Sequence, residues 1–529
     1  MPGGRVALGD IRSVEGVQSG RVSHHVVGFA SVAHDRRPRR PGLICALVKN
    51  CFSVNMVNTV QSSCDAAAAR ATAFSRAPTH PLLALMAAMT AGSLVYIDGA
   101  VMAIGLPAIG QGLALQGGQS QWVINAYLLP LTALSLLGGA WGDRFGRRRA
   151  LILGASVFSL SLMAASLAPK ASVLIGLRFL QGIAAALLVP NSLAILGQMF
   201  SGRDEVRAVG LWSATAAIAS AIGPVLGGWL IDMGHWRAIF LLTAPIAAFS
   251  IALTVRYVPV DREVSSRPLD LVGGTLVAVA LSAMTWSLTT ATSSPERQTE
   301  AVSAAALALV VLGGFIWVQR HLGERAMMPL YLFSSRTLTG ITLFSLFLYG
   351  ALNAFLILIP FVLLQAAGYS GAAAGAIFVP LQIIFTVVSP LMAHVVARFG
   401  SRLPLAVGAV ISACGFMLAT RIQTQSDYWG DVFPAILFLS LGMSSAVAPL
   451  TTLVLTSVDE RHASTASGIN STATRLGALI TTALLGTVLI RRGEHLFEEF
   501  STVMVMGALV CLLAAGSVIL IKGTTDSTV

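Results

Sequence analysis

A single acidic residue lies inside a long apolar run early in the hydrophobic part of the chain. Asp98 is the only charged residue between Leu82 and Leu106. A carboxylate in apolar surroundings is costly when charged and can therefore take up and release a proton. The other acids after position 80 fall in loops or near the ends of apolar runs, as Asp232 and Asp270 do. We expect Asp98 to exchange a proton, with a structural hydrogen bond as the alternative.

Arg178 is the candidate partner of this acid, and it too lies in an apolar run. An arginine in mid-membrane costs about 2.5 to 3.5 kcal/mol on insertion scales, so it should face protein or a wet cavity. If the two runs are helices of opposite direction, the depths of Asp98 and Arg178 differ by about 4 to 5 Å. The two residues are predicted to form one proton-coupling unit, and an arginine satisfied by backbone carbonyls is the alternative.

A glycine-containing basic stretch, Gly142-Asp-Arg-Phe-Gly-Arg-Arg-Arg149, follows the second apolar run. Its glycines permit a tight turn, and Asp143 can pair with an arginine at a helix end. A plain positive anchor would need only the arginines. A second stretch, Val396-Ala-Arg-Phe-Gly-Ser-Arg402, repeats the pattern with Ala397 in place of the aspartate. The second copy is therefore predicted to lack the full charge pair.

Small residues dominate the fifth apolar run, Ala219-Ser-Ala-Ile-Gly223-Pro224-Val-Leu-Gly227-Gly228. They let neighbouring helices approach closely, and Pro224 frees a carbonyl and permits a bend. Any two of these glycines could be ordinary packing residues. The complete pattern predicts a specific close contact between helices.

The runs that position these residues have the composition of membrane-spanning helices. Only 11% of the 529 residues are Asp, Glu, Lys or Arg, 55% are hydrophobic, and the mean hydropathy is +0.78, which excludes a soluble surface. A helix needs about 20 apolar residues to cross a hydrocarbon core of roughly 30 Å. Runs of that kind begin near residues 84, 121, 149, 171, 207, 236, 270, 301, 337, 371, 403, 433, 464 and 500. We predict an all-α polytopic membrane protein of about 14 transmembrane helices.

Arginines and lysines are concentrated in alternate loops, which predicts a multi-pass protein of the cytoplasmic (inner) membrane with both termini in the cytoplasm. The net charge of +11 follows from this topology, and no nucleic-acid partner is expected. The five cysteines form no CxxC pair, so neither a disulfide framework nor a metal site is predicted, and no cofactor is needed. His24 and His25 are adjacent but isolated.

Two pairs of similar segments occur along the chain at nearly the same sequence separation. One pair is the two basic stretches, and the other is Leu106-Pro107 and Ile359-Pro360. The sequence therefore predicts two six-helix pseudo-repeats plus two inserted helices, an arrangement typical of secondary transporters. The expected divisions are an N-terminal bundle 81–258, the insertion 259–335, a C-terminal bundle 336–522 and a cytoplasmic tail 523–529. Residues 1–80 are basic and are expected to be a disordered extension or an upstream start, with Met56 as the true one; a transit peptide is least favoured.

Four signatures together resemble the major facilitator superfamily, specifically its fourteen-helix drug:proton antiporter family, from about Leu82 to Ile521. The signatures are the basic stretch from Gly142 to Arg149, Arg178-Phe-Leu-Gln-Gly182, the small-residue run from Ala219 to Gly228, and Ile97-Asp-Gly-Ala-Val-Met-Ala-Ile-Gly-Leu-Pro107. The resemblance implies a charge latch, an antiporter motif and a proton-relay arginine at Arg178. The latch, or gating loop, comprises Gly142, Asp143, Arg144, Gly146, Arg147 and Arg148, and the antiporter motif comprises Gly223, Pro224, Gly227 and Gly228. Ala219 stands where the family has its first glycine.

A few further polar side chains interrupt apolar helices and are candidates for lining a cavity, although each could be an ordinary hydrogen bond between helices. They are Tyr127, Gln181, Asn353, Gln365, Gln382 and Arg475. Arg475 also matches a recurring pattern of the family. It is expected in the cytoplasmic half of its helix, where packing or gating is as well supported as a transport role.

The expected function is a proton-coupled antiporter that exports small lipophilic compounds, as in drug efflux, by alternating access. Uptake of a small organic metabolite is the alternative. An intramembrane enzyme would need a paired catalytic motif, which the sequence lacks, and a channel or receptor is less consistent with the repeats. With one deep acid, we predict neutral or weakly charged substrates over dications. The need for a periplasmic adaptor stays open.

Overall fold

The computed structural model describes most of the chain after residue 79. The described ranges are 80–116, 118–200, 203–260, 270–323, 326, 328–423, 426–458, 463–490 and 494–521. The predicted extension before His80, the alternative start at Met56, the histidines 24 and 25, and the predicted tail 523–529 lie outside them. Within the described ranges the chain forms helices and turns, without strands.

Fourteen long helices occur within the described ranges, which confirms the predicted fold class. In chain order they are α1 Pro81–Gly112, α2 Gln119–Phe145, α3 Arg147–Ser166, α4 Ala171–Met199, α5 Arg203–Asp232, α6 Ala244–Tyr257, α7 Leu271–Ser293, α8 Gln298–Leu322, α9 Arg336–Gln365, α10 in two pieces (Gly371–Ala376 and Phe378–Phe399), α11 Arg402–Ala419, α12 Phe433–Thr456, α13 Ala463–Leu484 and α14 Glu494–Ser517. A 3-10 turn, Trp236–Leu241, precedes α6, and a short helix, Gly486–Ile490, follows α13.

Thirteen of these helices, within the described residues, are long and apolar enough to cross a membrane by length and composition. The fourteenth, α13, is rich in serine and threonine and contains Arg475. A membrane helix of this polarity has to be shielded from lipid by other helices. It packs against α2, α7, α9 and α12, and it therefore lies inside the bundle.

The helix ends follow local sequence. Asp270 begins α7 by accepting a hydrogen bond from the Gly273 amide at 2.7 Å, as an N-cap residue does. Gly146 ends α2 with φ 102°, and Gly400 ends α10 with φ 73°. Backbone of this left-handed kind favours glycine, so the two basic stretches share one turn geometry.

The last six helices repeat the packing of the first six, so that α9 corresponds to α1 and α14 corresponds to α6. In the first group α1 packs on α5 and α6, α2 and α3 pack on α4, and α3 packs on α6. In the second group α9 packs on α13 and α14, α10 and α11 pack on α12, and α11 packs on α14. The inserted helices α7 and α8 pack on each other, and α7 also contacts α2 and α13. This packing agrees with the predicted pseudo-repeats.

Successive long helices run in opposite directions, so the turns lie at two ends of the bundle. Turns after odd-numbered helices form one end, called the Gly234 end, where Gln121 of α2 donates a hydrogen bond to the Ala483 carbonyl of α13. Turns after even-numbered helices form the Gly146 end, where Arg148 donates to the Val255 carbonyl of α6. Some of the candidate functional residues lie in the middle of the bundle, and others lie at its two ends.

Candidate functional site

An ion pair joins α1 to α4 inside the first group of helices. Arg178 Nη1 donates to both carboxylate oxygens of Asp98, at 3.0 Å to Oδ1 and 2.7 Å to Oδ2. The two side chains are enclosed, with only 1% of Arg178 and 3% of Asp98 exposed. The contact predicted from sequence is therefore present, while its part in moving protons stays a prediction.

Three neutral groups complete the surroundings of Arg178. Its Nε donates to the Val123 carbonyl at 3.1 Å, and its Nη1 donates to Gln181 Oε1 at 2.7 Å. The guanidinium carbon lies 4.4 Å from the centre of the Tyr127 ring, which is cation–π distance. Helices α1, α2 and α4 thus meet at this side chain. A backbone carbonyl accounts for only one of its bonds, so carbonyls alone do not satisfy it.

Asp98 and Arg178 are the only fully buried charged side chains among the described residues. If the carboxylate gains a proton, the pair loses its charge attraction, and Arg178 keeps the neutral acceptors Val123 and Gln181. One proton can therefore select between a paired and an unpaired arrangement. A two-state element of this kind is what a transport cycle needs.

A second cluster of polar side chains adjoins the pair. The hydroxyls of Tyr96 and Tyr127 interact electrostatically with the Arg475 guanidinium, and Tyr127 also interacts with Asp98 and Arg178. Tyr96 and Arg475 are only half-buried although they lie far from the ends of their helices, so space for a small molecule or water adjoins them. Helices of both groups contribute to this cluster, because α1 and α2 supply the tyrosines and α13 supplies the arginine.

Arg475 lies close to the midpoint of α13, which runs from Ala463 to Leu484. Its expected position in the cytoplasmic half of this helix stays a prediction. The guanidinium interacts electrostatically with the tyrosines of α1 and α2.

The basic stretch between α2 and α3 fastens several helices of the first group. Arg147 donates to Asp143 Oδ1 through Nε at 2.9 Å and Nη2 at 2.7 Å, and to the Ala194 carbonyl of α4 at 2.7 Å. A Cβ on Gly142 would overlap the side-chain amide of Asn191, so a larger residue there would displace that side chain. The Asp143–Arg147 pair is partly exposed, and its role as a latch stays a prediction.

The second copy of this turn keeps the shape and loses the charge pair. Arg398 lies over the Phe399 ring at 5.6 Å, as Arg144 lies over Phe145 at 5.5 Å. Ala397 replaces the aspartate, so this turn has no equivalent of the Asp143 pair. The predicted absence of a full latch in the second half follows from the sequence itself.

The small residues of α5 form two contact faces. A Cβ on Gly223 would lie 3.3 Å from the Ile97 carbonyl of α1, and one on Gly227 would lie 3.0 Å from Val101 Cγ1. Gly228 and Pro224 face α10 instead, where a Cβ on Gly228 would overlap the Gly371 carbonyl. The predicted antiporter motif therefore holds α5 against α1 in its own group and against α10 in the other.

Asp232, which ends α5, fastens this contact between the two groups. Its Oδ1 accepts a hydrogen bond from the Gly371 amide at 2.6 Å, and its Oδ2 accepts one from the Ala372 amide at 2.9 Å. A carboxylate at the start of a helix is stabilised by the free amides and the helix dipole. Sequence reasoning recorded Asp232 only as an acid near a helix end, because a backbone partner leaves no sequence signal.

The other residues predicted to line a cavity differ in whether their side chains form hydrogen bonds. Asn353 donates to the Ala478 carbonyl at 3.1 Å and to Thr482 Oγ1 at 2.9 Å, so it joins α9 to α13. Gln365 and Gln382 are half-buried, and their side chains have no hydrogen bond to the described residues. Asn353 thus fits the alternative of an interhelical bond.

Several aromatic residues near the cluster were missed from sequence. The Tyr96 ring packs edge-on against Trp212 of α5 at 6.0 Å, and Tyr349 of α9 interacts electrostatically with Tyr96. Tyrosine and tryptophan in apolar helices carry no distinguishing pattern, so composition could not find them. No cluster of metal-ligating side chains occurs in the part of the chain that the structure describes.

A family model described as Major Facilitator Superfamily matches residues 88–482. The chain belongs to the Major Facilitator Superfamily. Its members are transporters, so family membership argues against the enzyme alternative. The superfamily resemblance stated from the four signatures is confirmed.

Curated relatives and a solved structure extend this result. The chain is 31% identical to multidrug resistance protein Stp of Mycobacterium tuberculosis, over 77% of this chain and 76% of that protein. It is 29% identical to multidrug efflux pump LfrA of Mycolicibacterium smegmatis, over 78% and 82%. A crystal structure of a POT family transporter in complex with 5-aminolevulinic acid matches with a TM-score of 0.62 and 16% identity, over 85% of this chain and 97% of that one. The last similarity concerns the superfamily fold alone.

Proposed function

We propose that this superfamily member is a proton-coupled antiporter that exports small lipophilic compounds across the cytoplasmic membrane by alternating access. The observation that carries the proposal is the buried pair of Asp98 and Arg178, which adjoins the half-buried cluster around Arg475. The names of the relatives, a multidrug resistance protein and a multidrug efflux pump, support export as the direction of transport and drugs as the substrates.

In this mechanism protonation of Asp98 releases Arg178, whose remaining bonds go to Val123 and Gln181. Arg178 spans α1, α2 and α4, so a shift of this side chain changes how these helices pack. Proton binding then biases the bundle toward one of two arrangements, since a ligand shifts a two-state equilibrium by its differential affinity. At about 150 mV, one proton entering per turnover supplies roughly 3.5 kcal/mol for a neutral substrate.

We assign the Gly146 end to the cytoplasm, because it has most of the arginines of the loops. Alternating access then requires the bonds from Asp232 to Gly371 and Ala372 to break whenever the cavity opens outward. The Asp143–Arg147 pair is the corresponding latch at the cytoplasmic end. Uptake gains no support from the solved structure, because its 16% identity bears on the fold alone.

The test uses inverted membrane vesicles with an acidic interior. A toxicity panel on cells with and without the protein first selects a neutral exported compound. We expect the wild type to concentrate it, and Asp98→Asn to lose concentration against the gradient while keeping exchange down it. Asp204→Asn is the matched control, because Asp204 is an exposed acid at the start of α5. An Asp98→Asn protein that still concentrates the compound would refute proton coupling through this residue.

A further inference from the structure

Arg475 is a charged side chain in the middle of the bundle for which the described part of the chain supplies no hydrogen bond or ion pair. Its Nη1 is enclosed and has no hydrogen-bond partner, and none of the described acids forms an ion pair with it. The only buried acid in the described chain, Asp98, is already bound through both oxygens by Arg178. The positive charge of Arg475 is therefore left without a counter-ion among the described residues.

The groups around Arg475 are also donors that lack an acceptor. The Tyr127 hydroxyl interacts electrostatically with Arg475, is enclosed, and has no hydrogen-bond partner. The side-chain nitrogen of Gln181, which lies beside Arg178 and accepts a hydrogen bond from it through its oxygen, is also enclosed and unbonded. Buried polar groups in folded proteins are nearly always bonded, so the unbonded Nη1 of Arg475 and the unbonded Tyr127 hydroxyl indicate a missing acceptor.

An oxyanion is the ligand that fits such a set. The planar guanidinium presents its N–H groups in a fork that matches a carboxylate, and a hydroxyl can add a third bond. The rings of Tyr96 and Trp212, which pack edge-on nearby, offer an apolar surface for the rest of the molecule. A dication would meet the unpaired charge of Arg475 and be repelled.

We propose that Arg475, together with the Tyr127 hydroxyl, binds a monoanionic oxygen acid, such as a carboxylate, on a lipophilic substrate. This inference rests on the proposed export function and specifies the substrate class of the same cavity. It also gives a reason for an arginine in α13 that no described acid pairs with. A monoanion falls within the weakly charged class expected from the single deep acid.

The test compares two probes that differ in one group, 1-pyrenebutyrate and the neutral 1-pyrenebutanol. Binding to purified full-length protein in lipid nanodiscs is followed by pyrene fluorescence at neutral pH, with empty nanodiscs as the blank. We expect the wild type to bind pyrenebutyrate about tenfold more tightly than pyrenebutanol, the size of a charge-assisted hydrogen-bond contribution. In Arg475→Gln the two affinities should agree within about twofold, and Arg475→Lys should fall between.

Arg297→Gln is the matched control, because Arg297 is an exposed arginine between α7 and α8. Unchanged binding of pyrenebutanol by Arg475→Gln shows that the cavity is intact. The inference is overturned if wild type binds the two probes equally, if it fails to bind pyrenebutyrate, or if Arg475→Gln keeps the preference. These measurements need no proton gradient, so their failure is separate from a failure of the Asp98 vesicle test.

Discussion

Two arginines near the middle of the bundle have opposite surroundings. Arg178 has a carboxylate, an amide oxygen, a carbonyl and an aromatic ring around it. Arg475 has no acid and no hydrogen bond within the described chain. The first arginine is bound by the protein, while the second is available to something else.

This difference separates a residue that the fold can explain from one that it cannot. An arginine at the membrane centre costs about 2.5 to 3.5 kcal/mol, and the bonds of Arg178 offset that cost. Arg475 has no such compensation, so stability gives no reason to keep it. An expensive and unsatisfied group inside a membrane protein is a sign of function.

The largest expected effect on stability comes from breaking the ion pair between Asp98 and Arg178. Asp98→Ala leaves Arg178 buried without its counter-ion, which should lower the free energy of unfolding by about 3 to 5 kcal/mol. The double variant Asp98→Ala with Arg178→Met removes both charges and should recover most of that loss. Thermal unfolding in detergent of the wild type, Asp98→Ala, Arg178→Met and the double variant forms a double-mutant cycle that measures the coupling.

Asp204→Ala serves as the control for this cycle, because the carboxylate of Asp204 is 74% exposed and its contact with Arg207 is long at 3.9 Å. Exposed pairs of that kind contribute little to stability. If Asp98→Ala is as stable as the wild type, or if the double variant is no more stable than Asp98→Ala, the pair is not a unit.

The sequence predicted the pair because charges are rare inside apolar runs. Asp98 and Arg178 both interrupt such runs, and lipid leaves them no partner except protein, so each pointed to the other. The number of helices followed from the same apolar runs. The repeat followed from the two basic stretches, whose turns at Gly146 and Gly400 share a left-handed glycine.

The remaining features depend on which helices meet, and a single sequence does not contain that information. Arg475 lies in a helix polar enough for packing to explain it, until α1 and α2 are seen to present tyrosines to it. Asp232 binds backbone amides of Gly371 and Ala372, and every residue except proline has an amide. Tyr96 and Tyr349 resemble any aromatic residue of an apolar helix.

A smaller change in stability, of opposite sign, is expected when Arg475 is replaced. Arg475→Met replaces a charge without a partner by an apolar side chain of similar length, and it should raise the free energy of unfolding by about 0.5 to 2 kcal/mol. Arg178→Met should lower it, because that change leaves Asp98 unpaired. Thermal unfolding midpoints of the two variants check the signs. A loss of stability in Arg475→Met would mean that Arg475 is a structural residue after all.

The smallest effect concerns Tyr127, whose ring contacts Arg178 and whose hydroxyl interacts electrostatically with Arg475. Its ring lies against Arg178 at 4.4 Å, while its hydroxyl has no hydrogen-bond partner among the described residues. Tyr127→Phe keeps the ring and removes the hydroxyl, so stability should change by less than about 0.5 kcal/mol, since no bond is lost. Pyrenebutyrate affinity should fall about three- to tenfold, the net value of one ordinary hydrogen bond, with pyrenebutanol affinity nearly unchanged.

Tyr369→Phe is the matched control for that prediction: it should lower stability and leave probe affinity unchanged. The Tyr369 hydroxyl donates to the Ser426 carbonyl at 3.0 Å, near the Gly234 end. Burial, together with the nearby Asp427 and Asp431, raises the pKa of Tyr369, so the hydroxyl stays protonated and remains a donor at neutral pH. Its removal should cost about 1 kcal/mol of stability and leave the affinity for both probes unchanged. If Tyr127→Phe instead loses stability and keeps its affinity for pyrenebutyrate, the hydroxyl belongs to the fold and Arg475 binds its anion without it.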